Sequence, residues 1–415
     1  MIKSRTLDCG IRIVMEDIPY VKSVALGIFV RAGAIDETEK YAGVSHFIEH
    51  MMFKGTEKRT AKEIAEEVDR IAGHINAYTA KENTCYHIKT LSDNVEKAID
   101  ILTDMFMNSQ FATEEMNRER NVIFEEMNMI EDTPDDLVYE LITKGIFKDK
   151  PLANSIIGTR SSLNRITHNV IKDYIAKEYT KDSIVISVSG NFDEEKICEL
   201  FSKKLENLPI SKKAKPEPKK GYEPVYLGKV KNIEQSHVMI GLPSIALDDP
   251  KYYAMALLSN SFGGTMSSRL FQNVREQKGL AYSVFSMNAA YSNMGAFMIY
   301  AGVGHHNIGK AVSAIKEEIA ELKKNGLTDD ELNMSKQQLL GNYIYGQENV
   351  NGRMLSIGKN MLLLNKIFTA EEVISNIEKT TQDDVRECID MIGDISKYSG
   401  AVVSNHRVRI KDMME

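Results

Sequence analysis

The sequence has no apolar run that approaches the roughly 18–20 residues of a membrane-spanning helix, which excludes a helical membrane protein. It has no excess of basic charge. The formal net charge is −7, which argues against a nucleic-acid surface. Cysteine is scarce. Cys9, Cys85, Cys198 and Cys388 form no C-x-x-C pair, so neither a thiolate metal knuckle nor a disulfide framework is expected. They read as small buried apolar residues of a reduced protein. The opening residues, Met1 to Asp8, lack the apolar core of a signal peptide and the Arg/Ser-rich helix of a transit peptide. They run into a strand-like segment at Arg12–Met15. The expectation is a cytoplasmic protein. What is present is an ordinary globular balance, with 43% hydrophobic and 27% charged residues.

A chain of 415 residues is typical of two domains. Ser211 to Lys220 combines charges with two prolines and has no apolar periodicity, the composition of an exposed linker. The expected organisation is therefore domain 1–210, linker 211–224 and domain 225–415. The halves are related. Asn94-Val95-Glu96-Lys97-Ala98-Ile99 and Asn307-Ile308-Gly309-Lys310-Ala311-Val312 each open a helix, 213 positions apart (307 − 94). Paired strand-like runs precede each: 75–78 with 84–91, and 283–290 with 295–303. Apolar helices precede those, around 42–53 and 252–262. Strands at 183–190 and 399–404 close the two halves. The pattern predicts a duplicated α+β unit, each copy a mostly antiparallel sheet with helices packed on one side.

His46-Phe47-Ile48-Glu49-His50 is the most informative stretch. On a helix, His46 and His50 project from one face a turn apart, with Glu49 beside them. Two imidazoles at that spacing can hold a metal ion, and an adjacent carboxylate can take a proton from water. The order is that of an inverted metalloprotease motif. A third ligand is expected from the run 118–127, in which Val122, Ile123 and Met127 read as the buried side of a helix. Glu119 and Glu126, two turns apart, share a face. One of them could bind metal while the other orients a ligand histidine. At the same offset of 213, Ser259, Phe262 and Gly263 stand where His46, Glu49 and His50 do, so a single metal site per chain is expected, in the first half.

His46, Glu49 and His50, followed by Glu126, resemble the pitrilysin, insulinase and mitochondrial processing peptidase family of zinc proteases. The segments Gly73–Thr79 and Phe271–Val284 resemble that family's active-site edge strand and its Arg/Tyr segment. The resemblance extends over essentially the whole chain. It implies a zinc endopeptidase with one Zn2+ per chain, held by His46, His50 and Glu126. Glu49 would be the general base, and Glu119 a second functional glutamate behind the ligands. Peptide substrate would add as a strand along Asn76, Ala77, Tyr78 and Thr79. Arg275 and Tyr282 would bind the substrate and its oxyanion. The resemblance also implies a chamber formed by paired domains, which admits extended or unfolded peptides. A homodimer is expected because both motifs occur in one chain, and a heterodimer with a paralogue is the next possibility. No nucleic-acid or membrane partner is expected. The alternative is a non-catalytic structural or regulatory subunit of a peptidase-like heteromer, which would be expected to have a broken metal motif. Zinc against another divalent ion, and the natural substrate, stay open.

Overall fold

The computed structural model describes residues 2–148, 150–210 and 222–414. The expected linker falls mostly on 211–221, outside the described residues. The chain forms two compact units. The first comprises Met1–Met127, Asn154–Glu217 and Tyr345–Thr369; the second comprises Asn128–Ala153, Pro218–Ile344 and Ala370–Glu415. This division departs from a single cut at the linker. Residues 128–153 belong with the second unit and residues 345–369 with the first.

The first unit is built on a six-stranded sheet of order β1-β2-β6-β3-β5-β4. Its strands are β1 (Ile2–Thr6), β2 (Arg12–Asp17), β3 (Ser23–Val30), β4 (His74–Thr79), β5 (Thr84–Leu91) and β6 (Ile184–Gly190). Every pairing is antiparallel except β2 with β6. The second unit carries a five-stranded sheet of order β7-β11-β8-β10-β9. Its strands are β7 (Tyr226–Val230), β8 (Ser236–Ser244), β9 (Ala281–Ala290), β10 (Gly295–Val303) and β11 (Ser399–Ser404). Only β7 with β11 is parallel. The two orders coincide once β1 is set aside, with β2, β6, β3, β5 and β4 answering to β7, β11, β8, β10 and β9. The offset of 213 carries residues 23–30 onto 236–243, within β8.

Helices cover both faces of each sheet, which corrects the one-sided layer expected from the sequence. In the first unit, α1 (Val44–Met51), α2 (Ala61–Arg70) and α3 (Val95–Asn108) precede the long α4 (Thr113–Asp132). Of these, α1 and α3 pack on β5. The opposite face is covered by the helix Val350–Leu364, which lies on β2, β3 and β6. Met354, Ile357 and Met361 join Ala25, Phe29, Cys85 and Val185 in one buried cluster. The approach is close. A Cβ at Gly358 would lie 2.3 Å from the Phe29 ring. The second unit repeats the device with α5 (Pro134–Ile146), which packs on β8 and β11. The physical reason is visible in the strands. β3 is buried from Val24 onward and β10 is buried throughout. Near-continuous apolar strands of this kind need cover on both faces. No helix among the described residues is long and apolar enough to cross a membrane.

Candidate active site

Helix α1 begins where Gly43 turns the chain at φ +89°. A side chain there would be strained, and its Cβ would sit 2.7 Å from the Ile157 carbonyl oxygen. The helix buries Val44, Phe47, Ile48 and Met51, which fixes the faces that His46, Glu49 and His50 present. The two imidazoles lie edge to face, 4.6 Å between ring centres.

Glu126 of α4 meets them. Its Oε2 lies 3.7 Å from His46 Nε2 and 3.6 Å from His50 Nε2. Among the described residues these three side chains form the only group of at least three His, Cys, Asp or Glu whose ligand atoms all lie within 4.8 Å of one another. The separations exceed hydrogen-bond length. They approach the edge of a tetrahedral zinc site, about 3.4 Å for bonds near 2.1 Å. Burial and the neighbouring His50 push the His46 imidazolium down to about 3, so His46 is a neutral nitrogen donor at neutral pH. The donor set, two imidazole nitrogens and one carboxylate oxygen, fits zinc.

Glu119 lies one face-repeat before Glu126. It is buried and accepts from His50 Nδ1 at 3.1 Å. Its other oxygen pairs with Lys54 Nζ at 2.7 Å. Glu119 thus fixes the His50 tautomer that leaves Nε2 to face Glu126. The expected burial of Val122 fails. The buried stripe of α4 runs through Met116, Glu119 and Ile123, and Val122, one residue off that stripe, is 49% exposed.

Glu49 accepts a 2.5 Å hydrogen bond from Thr79 Oγ1. Burial raises its pKa; the Thr79 bond and His50 oppose that rise. A carboxylate shifted upward is better matched to proton transfer near neutrality. Thr79 ends β4, which among the described residues pairs only with β5 and so leaves one backbone edge free. Ala77 shares the Thr79 face. Asn76 and Tyr78 point the other way, and Tyr78 packs against the Phe29–Met354 cluster.

Two supports were not legible in the sequence. Glu37 is buried and accepts from the backbone N–H groups of Gly43, at 2.6 Å, and Ser45, at 2.8 Å. It caps α1 from six and eight residues upstream, a spacing no local capping rule covers. Burial pushes its pKa up to about 8, against the pull of those two donors. The second is the Thr79–Glu49 bond itself, which depends on tertiary contact. Glu82, in the turn after β4, is buried, with Arg31 3.9 Å away.

In the second unit, Arg275 lies on a π-helical turn, Phe271–Gln277, and Tyr282 near the start of β9. The Arg275 guanidinium is 4.5 Å from the Phe271 ring centre and 5.7 Å from that of Tyr282. Tyr282 is 76% exposed. The position answering to His50 is closed to a side chain, since a Cβ at Gly263 would lie 2.5 Å from the Ser286 backbone nitrogen.

Residues 12–160 match the family model described as insulinase (peptidase family M16), and residues 165–339 match the M16 inactive domain. An uncharacterized zinc protease of Bacillus subtilis, YmxG, is 40% identical over 385 residues, 93% of this chain and 94% of that protein. An uncharacterized zinc protease of Streptomyces coelicolor is 36% identical over 393 residues, 93% of this chain and 86% of that protein. Among solved structures, a protease from Helicobacter pylori superposes with a TM-score of 0.90 at 22% identity, over 97% of this chain and 99% of that one. An M16 inactive domain structure from Pseudomonas fluorescens gives 0.91 at 19% identity, over 99% of each chain. At those identities the two structures attest the fold.

Proposed function

The chain belongs to the insulinase family, peptidase family M16, and from that premise we propose that it is a zinc endopeptidase acting on extended or unfolded peptide segments. The observation that carries this reading is the convergence of His46, His50 and Glu126 with Glu49 beside them.

In this reading His46, His50 and Glu126 hold one zinc ion. Bound there, zinc supplies Lewis acidity for a water molecule and a peptide carbonyl. Glu49 takes a proton from water and passes it to the leaving amine. Glu119, held by Lys54, orients His50. The free edge of β4 pairs with the substrate backbone along Asn76, Ala77, Tyr78 and Thr79, a mode that tolerates many sequences because every peptide offers the same backbone groups. Arg275 and Tyr282 bind substrate: the aromatic rings hold the guanidinium plane and leave its N–H groups to meet carbonyls. Closure of paired domains over the peptide, a homodimer and a cytoplasmic location belong to the same proposal. The four free thiols fit a reducing compartment. The reading of a non-catalytic subunit is disfavoured, because the metal motif is intact and its side chains converge.

The test is hydrolysis of an internally quenched peptide by the purified protein. A strong chelator is expected to abolish it, and stoichiometric zinc to restore it. Undiminished hydrolysis in chelator would overturn the proposal.

Thr79 has a side-chain role in this reading besides its backbone one. Thr79→Val keeps the shape and removes the donor to Glu49. The bond to a charged acceptor is worth about 1.5–3 kcal/mol. The expected result is a fall of about tenfold or more in kcat with KM and zinc content little changed, and recovery in Thr79→Ser. A change confined to KM would instead assign Thr79 to substrate contact alone.

A further inference from the structure

Strand β4 has a second face, away from α1. Side chains alternate along a strand, so Asn76 and His74 share the face of Tyr78. The register places Asn76 opposite His87 and His74 opposite Lys89. These four side chains, with Asn349 at the start of the helix Val350–Leu364, line a cavity of about 580 Å3.

Several hydrogen-bond donors face the cavity, beside one buried acceptor, the Asn351 side-chain oxygen. The Asn76 side-chain oxygen accepts from the Ala77 N–H at 2.8 Å. That of Asn349 accepts from the Asn351 N–H at 2.9 Å. Both amides are left with their NH2 groups to offer. Lys89 is half-buried, and no ion pair or hydrogen bond engages its ammonium among the described residues. Asp69, exposed on α2, is the one acid in the lining among the described residues. A half-buried ammonium without a counter-charge bears a desolvation cost that a carboxylate would offset.

We propose that this cavity is a substrate subsite for a carboxylate, supplied by an acidic side chain or by the chain terminus of a peptide paired on β4. This rests on the peptidase reading above and deepens it. Directly opposed residues in a β-pair share a face. A substrate residue opposite Asn76 or His74 therefore points into the cavity. It stands three or five residues (79 − 76, 79 − 74) from the one opposite Thr79, roughly 10–17 Å along the strand. Thr79 in turn is bonded to Glu49, which places the residue opposite Thr79 nearest the scissile bond.

The experiment is a peptide series with Glu or Gln scanned outward from the scissile bond, each made with a free and an amidated C-terminus. The expected result is one position, three to five residues out, where Glu exceeds Gln about tenfold in kcat/KM. A preference for the free terminus, seen only in peptides that end at that distance, identifies the terminal carboxylate as the source. In Lys89→Gln the Glu/Gln ratio should fall to near one. In Lys89→Glu it should invert in favour of Gln over Glu, and Lys89→Arg should retain it. Each ratio is internal to one protein preparation, so partial misfolding does not mimic the result. If wild-type protein cleaves the series with no such preference, or if the preference survives in Lys89→Gln, the subsite is refuted and the peptidase reading stands. If no peptide is cleaved, both fall together.

Discussion

Purified Glu49→Gln protein is expected to bind one zinc per chain and to bind peptide, yet to hydrolyse it about 10²–10⁴-fold more slowly than wild type, the range that general-base catalysis spans. The substitution is close to isosteric. The Gln side-chain oxygen can still accept the Thr79 hydroxyl that Oε2 of Glu49 accepts now, and the carboxamide has no basic oxygen to take a proton. Because Glu49 is not part of the His46–His50–Glu126 group, metal content should be unaltered. Metal analysis alongside turnover separates the two roles. Wild-type turnover in Glu49→Gln would remove Glu49 as the base. Loss of zinc would show that its role is structural.

Replacing a metal ligand should have a different signature. His50→Ala and Glu126→Gln are each expected to lose stoichiometric zinc on dialysis, and activity with it. Glu119→Gln provides the graded control. It keeps the three ligands and removes the acceptor that orients His50 at 3.1 Å. An outer partner of this kind is worth about 10–100-fold in metal affinity, so zinc should be weakened but recoverable by added metal. Full zinc occupancy in His50→Ala would dismiss the ligand assignment. Equal losses in His50→Ala and Glu119→Gln would mean that Glu119 binds the ion itself.

The metal motif was legible in the sequence because it is a short-range signal, and the duplication because similar runs recur at one fixed offset. Helical spacing puts His46 and His50 on one face, and two turns put Glu119 and Glu126 on another. The repeat offset carries β3 onto β8 without a shift. Glu37 was invisible because its partners, the Gly43 and Ser45 N–H groups, are brought to it by a turn and not by helical spacing. Lys54 follows the motif closely, yet its pairing with Glu119 joins the bend after α1 to a helix far along the sequence. Val122 was misplaced because an apolar residue beside Ile123 looks buried until the phase of the helix is fixed by Met116 and Glu119. The exchanged segments 128–153 and 345–369 were missed because nothing local marks which sheet a helix covers. The continuous burial of β3 and β10 was the available hint.

That exchange has a consequence for how the protein is made. As the chain leaves the ribosome, the strands of the first sheet emerge early, but Phe29 must wait for Gly358 and Met354 before its face is closed. A nascent chain that has reached only residue 210 holds an unfinished layer, with Ala25, Phe29 and Val185 exposed to any apolar partner. Domain-by-domain maturation during synthesis is therefore denied to this chain: its first unit is completed only after most of its second has been translated.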